Sequence, residues 1–353
     1  MVMFADAVDV VIGIDTHKHT HTATVVNTSN GAVLATVTVP TTPAGYRQLL
    51  ELGRAHGRTR TWAIEGTRTY GTGLLRALQG GGERVIEADR PKRPPRRNGA
   101  KTDEIDALRC AREAIANPAL GQPRSGDQRD ALAMLLACRD SAVEASKNAQ
   151  NQLQAFIVTA PDELRSRLRD CPTPTRRWAM CARLRHRQGE DTATATAINV
   201  LVATAKRIVA LEAEARQHAR EILAIVRQWR PDLLEHVGVG PIVAAIVLCA
   251  WSHQGRFRSD AAFAMVAGTA PIPASSGQTV RHRLNRRGDR QLNKAIHTIV
   301  LSRLRYDDNT KAYAGRRTTE GKTPAEIRRC LKRYVTRQIF RALENPPKPL
   351  DTP

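Results

Sequence analysis

The sequence predicts an α/β domain followed by a helical remainder, and two patterns indicate this order. β-branched runs alternate with helical stretches at the start of the chain, and apolar residues recur at helical spacing through the rest. We expect the α/β domain over residues 8–120, a long helical coiled-coil arm over 125–230 and a mainly helical domain over 231–344. The proline-rich residues 345–353 are expected to be a disordered tail.

Eight short segments predict the α/β domain. Five indicate strands because they are β-branched or alternate with period two: VDVVIGID, THTATVVN, GAVLATVTV, TRTWAIEGT and ERVIEAD. Three indicate helices: PAGYRQLLELGRA, the glycine-terminated YGTGLLRALQGGG, and KTDEIDALRCAREA. Three strands, then helix, strand, helix, strand and helix, is the element order of a ribonuclease-H-like domain.

A basic segment, RPKRPPRRNGAK at 90–101, precedes the last of these helices. Its prolines and like charges predict a solvated loop. A charged linker is one interpretation. We favour a loop that contacts phosphate, because an acidic site beside it needs cations to attract a polyanion. The candidate contacts in this loop are Arg93, Arg96, Arg97 and Lys101.

Residues 128–169 and 195–230 are each predicted to form a long helix, the second with heptad-like apolar spacing. The proline-containing segment 171–194 between them indicates a turn or tip, so the two helices form an antiparallel hairpin or a dimerising coiled coil. Further on, the Gly-x-Gly-Pro turn at 238–241 is typical of a helix-hairpin-helix that binds backbone phosphate, or of a tight corner between helices.

Charge points to a polyanionic partner. Lys and Arg number 55 against 34 Asp and Glu, giving a formal charge of +21 and a pI near 10.6. Such an excess excludes an ordinary acidic cytosolic enzyme and favours nucleic acid over an anionic membrane. No uninterrupted apolar stretch approaches the ~18 to 20 residues of a membrane span. The acidic N-terminus does not resemble a signal peptide, so we expect a cytoplasmic protein.

Six cysteines are scattered without a C-x-x-C pair, which argues against a zinc site or a disulfide framework. We expect them to be reduced and mostly buried thiols. The histidines of DTHKHTHT, His17, His19 and His21, would share one strand face and could bind zinc. An exposed polar face is the favoured interpretation.

Four acids are placed where they can converge. Asp15 and Glu65 end two predicted strands, and Asp103 and Asp106 lie three residues apart at the start of a helix. Four carboxylates so close would repel one another unless a cation lay among them. Oxygen ligands favour Mg²⁺ or Mn²⁺, so we predict a two-metal phosphoryl-transfer site. Helix capping and a first-turn dipole effect are alternative roles for Asp103 and Asp106.

A serine-containing segment near the C-terminus precedes a dense basic run. Ser275 and Ser276 come directly before Gly277, which leaves the backbone free to approach a ligand. A hydroxyl there could attack phosphorus, although an ordinary loop would have the same sequence. The cations that could clamp phosphates are Arg281, Arg283, Arg286, Arg287, Arg290 and Lys294.

Together these motifs resemble the DEDD insertion-sequence transposases. GIDTHK, AIEGT and KTDEIDA are similar to that family's acidic tetrad, on a domain that resembles RuvC-like junction resolvases. FxSxxAFAxxAGxAPxPxSSGQTVRHRLNRRGDRQLNKA is similar to its C-terminal transposase domain, which carries a serine nucleophile. The similarity spans nearly the whole chain in the same order.

The resemblance implies a recombinase that moves its own element through a circular double-stranded intermediate. It implies that Asp15, Glu65, Asp103 and Asp106 hold Mg²⁺ or Mn²⁺ and that Ser276, or the adjacent Ser275, is the nucleophile. It also implies donor and target DNA as substrates, a structured noncoding bridge RNA as guide, and tetramers whose active sites combine two subunits. In such a system base pairing supplies sequence specificity while the protein recognises backbones.

Two other functions fit the same residues. A metal-dependent junction endonuclease would hydrolyse with water and leave the serine idle. A nucleic-acid-binding scaffold with a decayed acidic site is disfavoured, because a decayed site need not retain all four acids.

Overall fold

The computed structural model describes residues 8–88, 102–117, 120–169, 171–274, 282–285 and 288–346. The chain divides into two compact units, Met1–Ser125 and Gly126–Pro353. The first is a mixed α/β unit and the second is almost entirely helical, which confirms the predicted fold class at this level. The finer division at residues 230 and 231 stays a prediction.

A five-stranded sheet forms the centre of the first unit. Its strands are β1 Val10–Thr16, β2 Thr20–Asn27, β3 Val33–Pro40, β4 Arg60–Glu65 and β5 Val85–Ala88. Their spatial order is β3-β2-β1-β4-β5, with β1 antiparallel to β2 and parallel to β4. All five predicted strands are therefore present, and the parallel pair β1/β4 lies at the centre of the sheet.

Three helices cover the two faces of this sheet: α1 Pro43–His56, α2 Thr72–Gly80 and α3 Asp103–Ala116. On one face Leu49 of α1 and Leu74 of α2 pack with Trp62 of β4. On the other face Cys110 of α3 packs with Val11 of β1. Each face thus has its own apolar core, and among the described residues of this unit one helix, α3, covers the second face.

A long helical hairpin opens the second unit. Its helices are α4 Asp127–Thr159, α5 Asp162–Arg169, α6 Pro174–Ala182 and α7 Thr192–Trp229. Leu136 near the start of α4 shares a core with Val226 near the end of α7. Leu153 near the end of α4 packs with Leu201 near the start of α7, so α4 and α7 are antiparallel within one chain.

A buried polar contact fixes the register of this hairpin. Ser146, only 1% exposed, donates from Oγ to Glu212 Oε1 at 2.6 Å, and Gln150 Nε2 donates to Ser146 Oγ at 2.9 Å. A shift of one helix along the other would separate Ser146 of α4 from Glu212 of α7, at a cost of about 1–3 kcal/mol.

Two predictions about the hairpin were wrong. The helix predicted over 128–169 is broken before Asp162, because Pro161 has no N–H and cannot continue the ladder of α4. The tip predicted over 171–194 contains α6, whose N-cap Thr173 accepts a hydrogen bond from the Arg176 N–H, with Pro174 in the first turn. Prolines therefore end one helix and begin another.

By length and composition, α7 is the one helix in the described part of the chain that could cross a membrane. Its buried residues Leu201, Ala205 and Ile208 pack instead against α4. One face of α7 thus contributes to the hairpin core.

The rest of the second unit begins with a 3₁₀ helix, Pro231–Glu235, followed by α8 Pro241–Trp251, α9 Asp260–Val266, β6 Ile272–Pro273, β7 His282–Arg283, α10 Arg290–Tyr306, α11 Asp308–Thr319 and α12 Pro324–Glu344.

The Gly-x-Gly-Pro turn at 238–241 is preceded by this short 3₁₀ helix rather than by an α-helix. Gly238 has φ +85°, and a Cβ there would lie 3.0 Å from the Ile299 carbonyl oxygen of α10. This close approach supports the interpretation as a tight corner.

A buried arginine ties the end of α7 to the end of α12. Arg230, 5% exposed, forms two hydrogen bonds with the Asp232 carboxylate, at 2.8 and 2.7 Å. Its Nη1 and Nη2 also donate to the carbonyl oxygens of Leu343 and Ala342, at 3.0 and 2.6 Å. The paired charge and the helix-end carbonyls are therefore satisfied by one side chain.

The cysteines are less buried than predicted. Cys110, Cys171 and Cys181 are buried, Cys249 and Cys330 are partly buried, and Cys138 is exposed on α4. All six are free thiols, as expected for a reduced protein.

Candidate active site

Asp15 and Glu65 lie side by side at the carboxyl ends of β1 and β4. The parallel register pairs Gly13 with Ala63 and Ile14 with Ile64, so Asp15 and Glu65 are the next matched positions. Side chains alternate along a strand, and Ala63 faces α3. Asp15 and Glu65, each two residues after this matched pair, therefore face α3 as well.

Gly13 lets α3 approach the sheet closely at this point. A Cβ on Gly13 would lie 2.1 Å from the Ala107 carbonyl oxygen and 2.5 Å from the Ala111 backbone nitrogen. Any larger residue would have to displace the backbone of α3. Glycine at this position thus brings the start of α3 next to the end of β1.

Asp103 and Asp106 occupy the first turn of α3. The N-cap is Thr102, whose hydroxyl accepts a hydrogen bond from the Ile105 N–H, so neither aspartate is the cap residue. Asp106 pairs with Arg109 one turn later, with Oδ1 to Nη1 at 3.0 Å. Asp103 is 53% exposed at its side chain and is available to a ligand.

His17 joins two of the acids. It lies between β1 and β2, and its Nε2 is 3.1 Å from Asp15 Oδ2 and 3.3 Å from Asp103 Oδ1. The ligand atoms of Asp15, His17 and Asp103 all lie within 4.8 Å of one another. No other group of three such residues is found in the part of the chain that the structure describes.

The prediction of a shared polar face for the three histidines was wrong. Residues 17–19 form the turn between strands, so only His21 lies on a strand. His21 is fully buried and stacks on Tyr46, with ring centres 5.9 Å apart. Tertiary packing therefore separates His21 from His17, which contacts the acids.

Electrostatics at the site favour a bound cation. Burial raises the pKa of Asp15, and the charges of Asp103 and Asp106 raise it further, against an opposing effect of His17. Burial also raises the pKa of the Cys110 thiol to about 12, with Glu65 and Asp15 contributing in the same direction. The charges of all four predicted acids thus affect the pKa values of groups near the carboxyl ends of β1 and β4.

These donors fit a divalent metal ion. Carboxylate oxygens suit Mg²⁺ and Mn²⁺, and an imidazole nitrogen is a better ligand for a transition metal than for Mg²⁺. A cation among Asp15, Asp103 and Asp106 would also offset the repulsion that raises the Asp15 pKa. His17 is a further donor, beyond the four acids predicted from the sequence.

The predicted phosphate-contacting residues are described only in part. Arg283 on β7 is exposed, as are Arg290 and Lys294 in the first turns of α10. The following predicted residues lie outside the described ranges: Arg93, Arg96, Arg97, Lys101, Ser275, Ser276, Arg281, Arg286 and Arg287.

Two family models match the chain. Residues 12–160, which include all four acids, match a DEDD model for IS110 that is described as a transposase. Residues 231–315 match a model described as the transposase IS116/IS110/IS902 family.

Two curated relatives are similar over most of their length. A mini-circle protein of Streptomyces coelicolor, whose name makes it the candidate transposase of IS117, is 26% identical over 399 residues, covering 97% of this chain and 95% of the relative. A 42 kDa protein of insertion element IS900 from Mycobacterium paratuberculosis is 27% identical over 359 residues, covering 88% of this chain and 89% of the relative.

Proposed function

We propose a mechanism for this IS110-family DEDD transposase in which a metal site on the α/β unit and a serine on the helical unit cleave and rejoin DNA. The observation that supports the metal site is the convergence of the β1 and β4 ends with the start of α3, which gathers Asp15, Asp103 and His17 within 4.8 Å. Glu65 and Asp106 complete the proposed donor set. A RuvC-like fold for this unit agrees with the sheet order.

The protein groups have separate roles in this mechanism. Asp15, Glu65, Asp103 and Asp106 hold the metal, Mg²⁺ or Mn²⁺, and His17 links Asp15 to Asp103. A bound divalent ion supplies stabilisation of negative charge on the phosphoryl oxygens. Arg283, Arg290 and Lys294, which follow the serine segment in the sequence, bind DNA phosphates, because they are exposed cations on β7 and α10.

The nucleophile in this proposal is Ser276, or the neighbouring Ser275. Its Oγ bonds to the scissile phosphorus and loses its proton, while the bond from phosphorus to the departing sugar oxygen breaks and that oxygen is protonated. The reverse reaction with the exchanged strand frees the serine. Bond energy is kept in the phosphoserine link, so no nucleotide cofactor is required.

The use of a guide RNA and the assembly into a tetramer are also proposals. A structured noncoding RNA would select donor and target DNA by base pairing, and a tetramer would combine the acidic unit of one subunit with the serine of another. The charge of +21 supports a protein that binds long stretches of nucleic-acid backbone. A cytoplasmic, nucleoid-associated location follows from the substrate.

Asp15→Asn tests the metal site. We expect Mn²⁺ affinity, measured by calorimetric titration, to fall by on the order of a hundredfold and strand exchange to be lost, because a central carboxylate becomes neutral. His17→Ala should weaken Mn²⁺ binding by about tenfold. Asp140→Asn, at an exposed acid of α4, is the matched control and should leave both unchanged. Full activity in EDTA would refute metal dependence.

Ser276→Ala tests the covalent step. The variant should bind DNA and RNA normally but give no protein-linked DNA on denaturing gels, with Ser275→Ala as the neighbouring control. An adduct of unchanged yield in both variants would remove these serines from the mechanism. Cleaved DNA with free ends and no adduct in the unaltered protein would identify the endonuclease instead.

A further inference from the structure

Exposed tyrosines mark the C-terminal helices. In the described residues, three aromatic side chains are more than half exposed: Tyr70 at 55%, Tyr306 at 65% and Tyr334 at 54%. The chain has only 14 aromatic residues, and Trp62 and Phe263 are typical of those in its cores. Burying such rings would stabilise the fold, so two of them left in water on α10 and α12 indicate a binding role.

Neighbouring groups support both rings. Tyr334 of α12 meets Tyr313 of α11 edge to face, with ring centres 5.8 Å apart and planes at 82°. The Arg316 guanidinium carbon lies 5.6 Å from the Tyr313 ring centre, and that of Arg305 lies 5.3 Å from the Tyr306 ring centre. Tyr306 therefore has a guanidinium group beside it, and Tyr334 packs against a ring that has one.

The charge around these rings is strongly positive. Residues 290–344 contain fourteen Lys and Arg but five Asp and Glu. Three of the five acids are engaged by uncharged donors: Asp307 caps α11, Glu326 caps α12, and Glu344 accepts from Trp251 Nε1. Across the described ranges, no carboxylate lies within 4 Å of the side-chain nitrogens of Arg305, Arg328, Arg329, Lys332 and Arg341. A polyanion is the partner that would balance them.

We propose that Tyr306 and Tyr334, with Arg305, Arg316 and the surrounding cations, form a binding site for single-stranded nucleic acid. An unpaired base stacks on an exposed tyrosine while the cations bind its phosphates. A duplex shows phosphates but hides its base faces, so the rings add affinity only for unpaired strands. A protein partner would be attracted to the rings but would not need the uncompensated cations.

Binding of labelled oligonucleotides to the full-length protein tests this site. Fluorescence anisotropy would be measured in EDTA with a single-stranded DNA, the same sequence as RNA, and a duplex, each of ~16 nucleotides per strand. The double variant Tyr306→Ala with Tyr334→Ala should weaken single-strand binding by about tenfold or more and duplex binding by less than about twofold. Because no metal is present, the result does not depend on the proposed cleavage mechanism.

Two controls separate stacking from folding. Tyr306→Phe with Tyr334→Phe keeps both rings and should retain single-strand affinity. Tyr70→Ala removes an equally exposed tyrosine from the other unit and should change nothing. A preference for either RNA or DNA would support the site and would show which of the two nucleic acids it binds. Unchanged single-strand affinity in the double alanine variant, an equal loss with duplex, or a changed oligomeric mass would each overturn the proposal.

Discussion

The acids of the α/β unit and the cations of the helical unit depend on different kinds of structure. Asp15 and Asp103 come from distant parts of the sequence and lie close together only because α3 packs against the sheet, and the β1/β4 register places Glu65 at the end of the neighbouring strand. The cations of α10 to α12 come from consecutive helices and need only a solvent-facing position. A precise site therefore requires long-range order, whereas a charged surface requires composition and helical spacing.

Gly13→Val, which separates α3 from the sheet, should have the largest effect on the α/β unit. The new side chain would collide with the α3 backbone at Ala107 and Ala111, destabilising the first unit by about 3 kcal/mol or more and removing Mn²⁺ binding. Thermal unfolding and calorimetric titration would measure both. Gly121→Val, where a Cβ meets nothing within 4 Å, is the control. Normal metal affinity in Gly13→Val would show that α3 does not position the acids.

Arg230→Ala should produce the corresponding loss in the helical unit. It leaves the Asp232 carboxylate and two carbonyl groups at the end of α12 without their donor, at a cost of about 3–5 kcal/mol. Urea unfolding should show the loss, while Mn²⁺ affinity stays unchanged. Arg187→Ala, which removes an exposed pair with Glu163, should cost less than ~1 kcal/mol. If Arg230→Ala and Arg187→Ala lowered the free energy of unfolding by similar amounts, the buried pair of Arg230 and Asp232 would not stabilise the helical unit more than an exposed pair does.

Lowering the pH should change the contributions of two carboxylates, Glu83 and Asp15, to the stability of the first unit in opposite directions. Burial raises the pKa of Glu83, but hydrogen bonds from Arg60 and Trp62 outweigh it and hold that pKa below its usual value. The stabilisation from Glu83 is therefore complete above its unfolded-state pKa and is lost as the pH falls through the folded-state value. Asp15, with a raised pKa, destabilises the metal-free fold as the pH rises through its folded-state value.

Unfolding free energies measured in EDTA from about pH 7 to pH 3 would check these signs. Glu83→Gln should reduce the loss of stability in acid, and Asp15→Asn should stabilise the metal-free protein near neutral pH. If both substitutions lowered the free energy of unfolding equally at neutral pH, the opposite pKa directions given to Glu83 and Asp15 would be contradicted.

Gly315→Ala should give the smallest effect, a stabilisation of about 0.5–1 kcal/mol. Gly315 lies inside α11, where a Cβ meets nothing within 4 Å, and alanine favours the helix. A small rise in the thermal midpoint of the helical unit would confirm it. A lower midpoint would indicate that α11 needs the freedom of glycine.

Local patterns predicted most of the fold. All five strands and three helices of the first unit follow from β-branched runs, amphipathic spacing and caps such as Thr102. The helix α6 was missed although Thr173 and Pro174 form an N-terminal signal. The break at Pro161 could also have been predicted from the sequence. The first error arose because a polar, proline-containing segment was taken to exclude a helix, and the second because Pro161 was not taken to end one.

The candidate site could be predicted only in part. Asp15 and Glu65 end strands, so their convergence follows from a parallel sheet, and the first turn of α3 was identified from its own sequence. The role of His17 could not be predicted, because it depends on the turn after β1 and on the close approach of α3 at Gly13. The burial of His21 likewise depends on its packing against Tyr46.

The end of α12 has a practical consequence for protein engineering. Glu344 accepts from Trp251 Nε1 at 2.7 Å and from the Gly255 N–H at 3.0 Å, and its own carbonyl accepts from Gln254. A truncation that removes Ala342 to Glu344 would take away the anchors of Arg230 and Trp251 together. Affinity tags and fluorescent fusions are therefore best attached through a flexible spacer beyond Glu344, and C-terminal deletions should stop short of this segment.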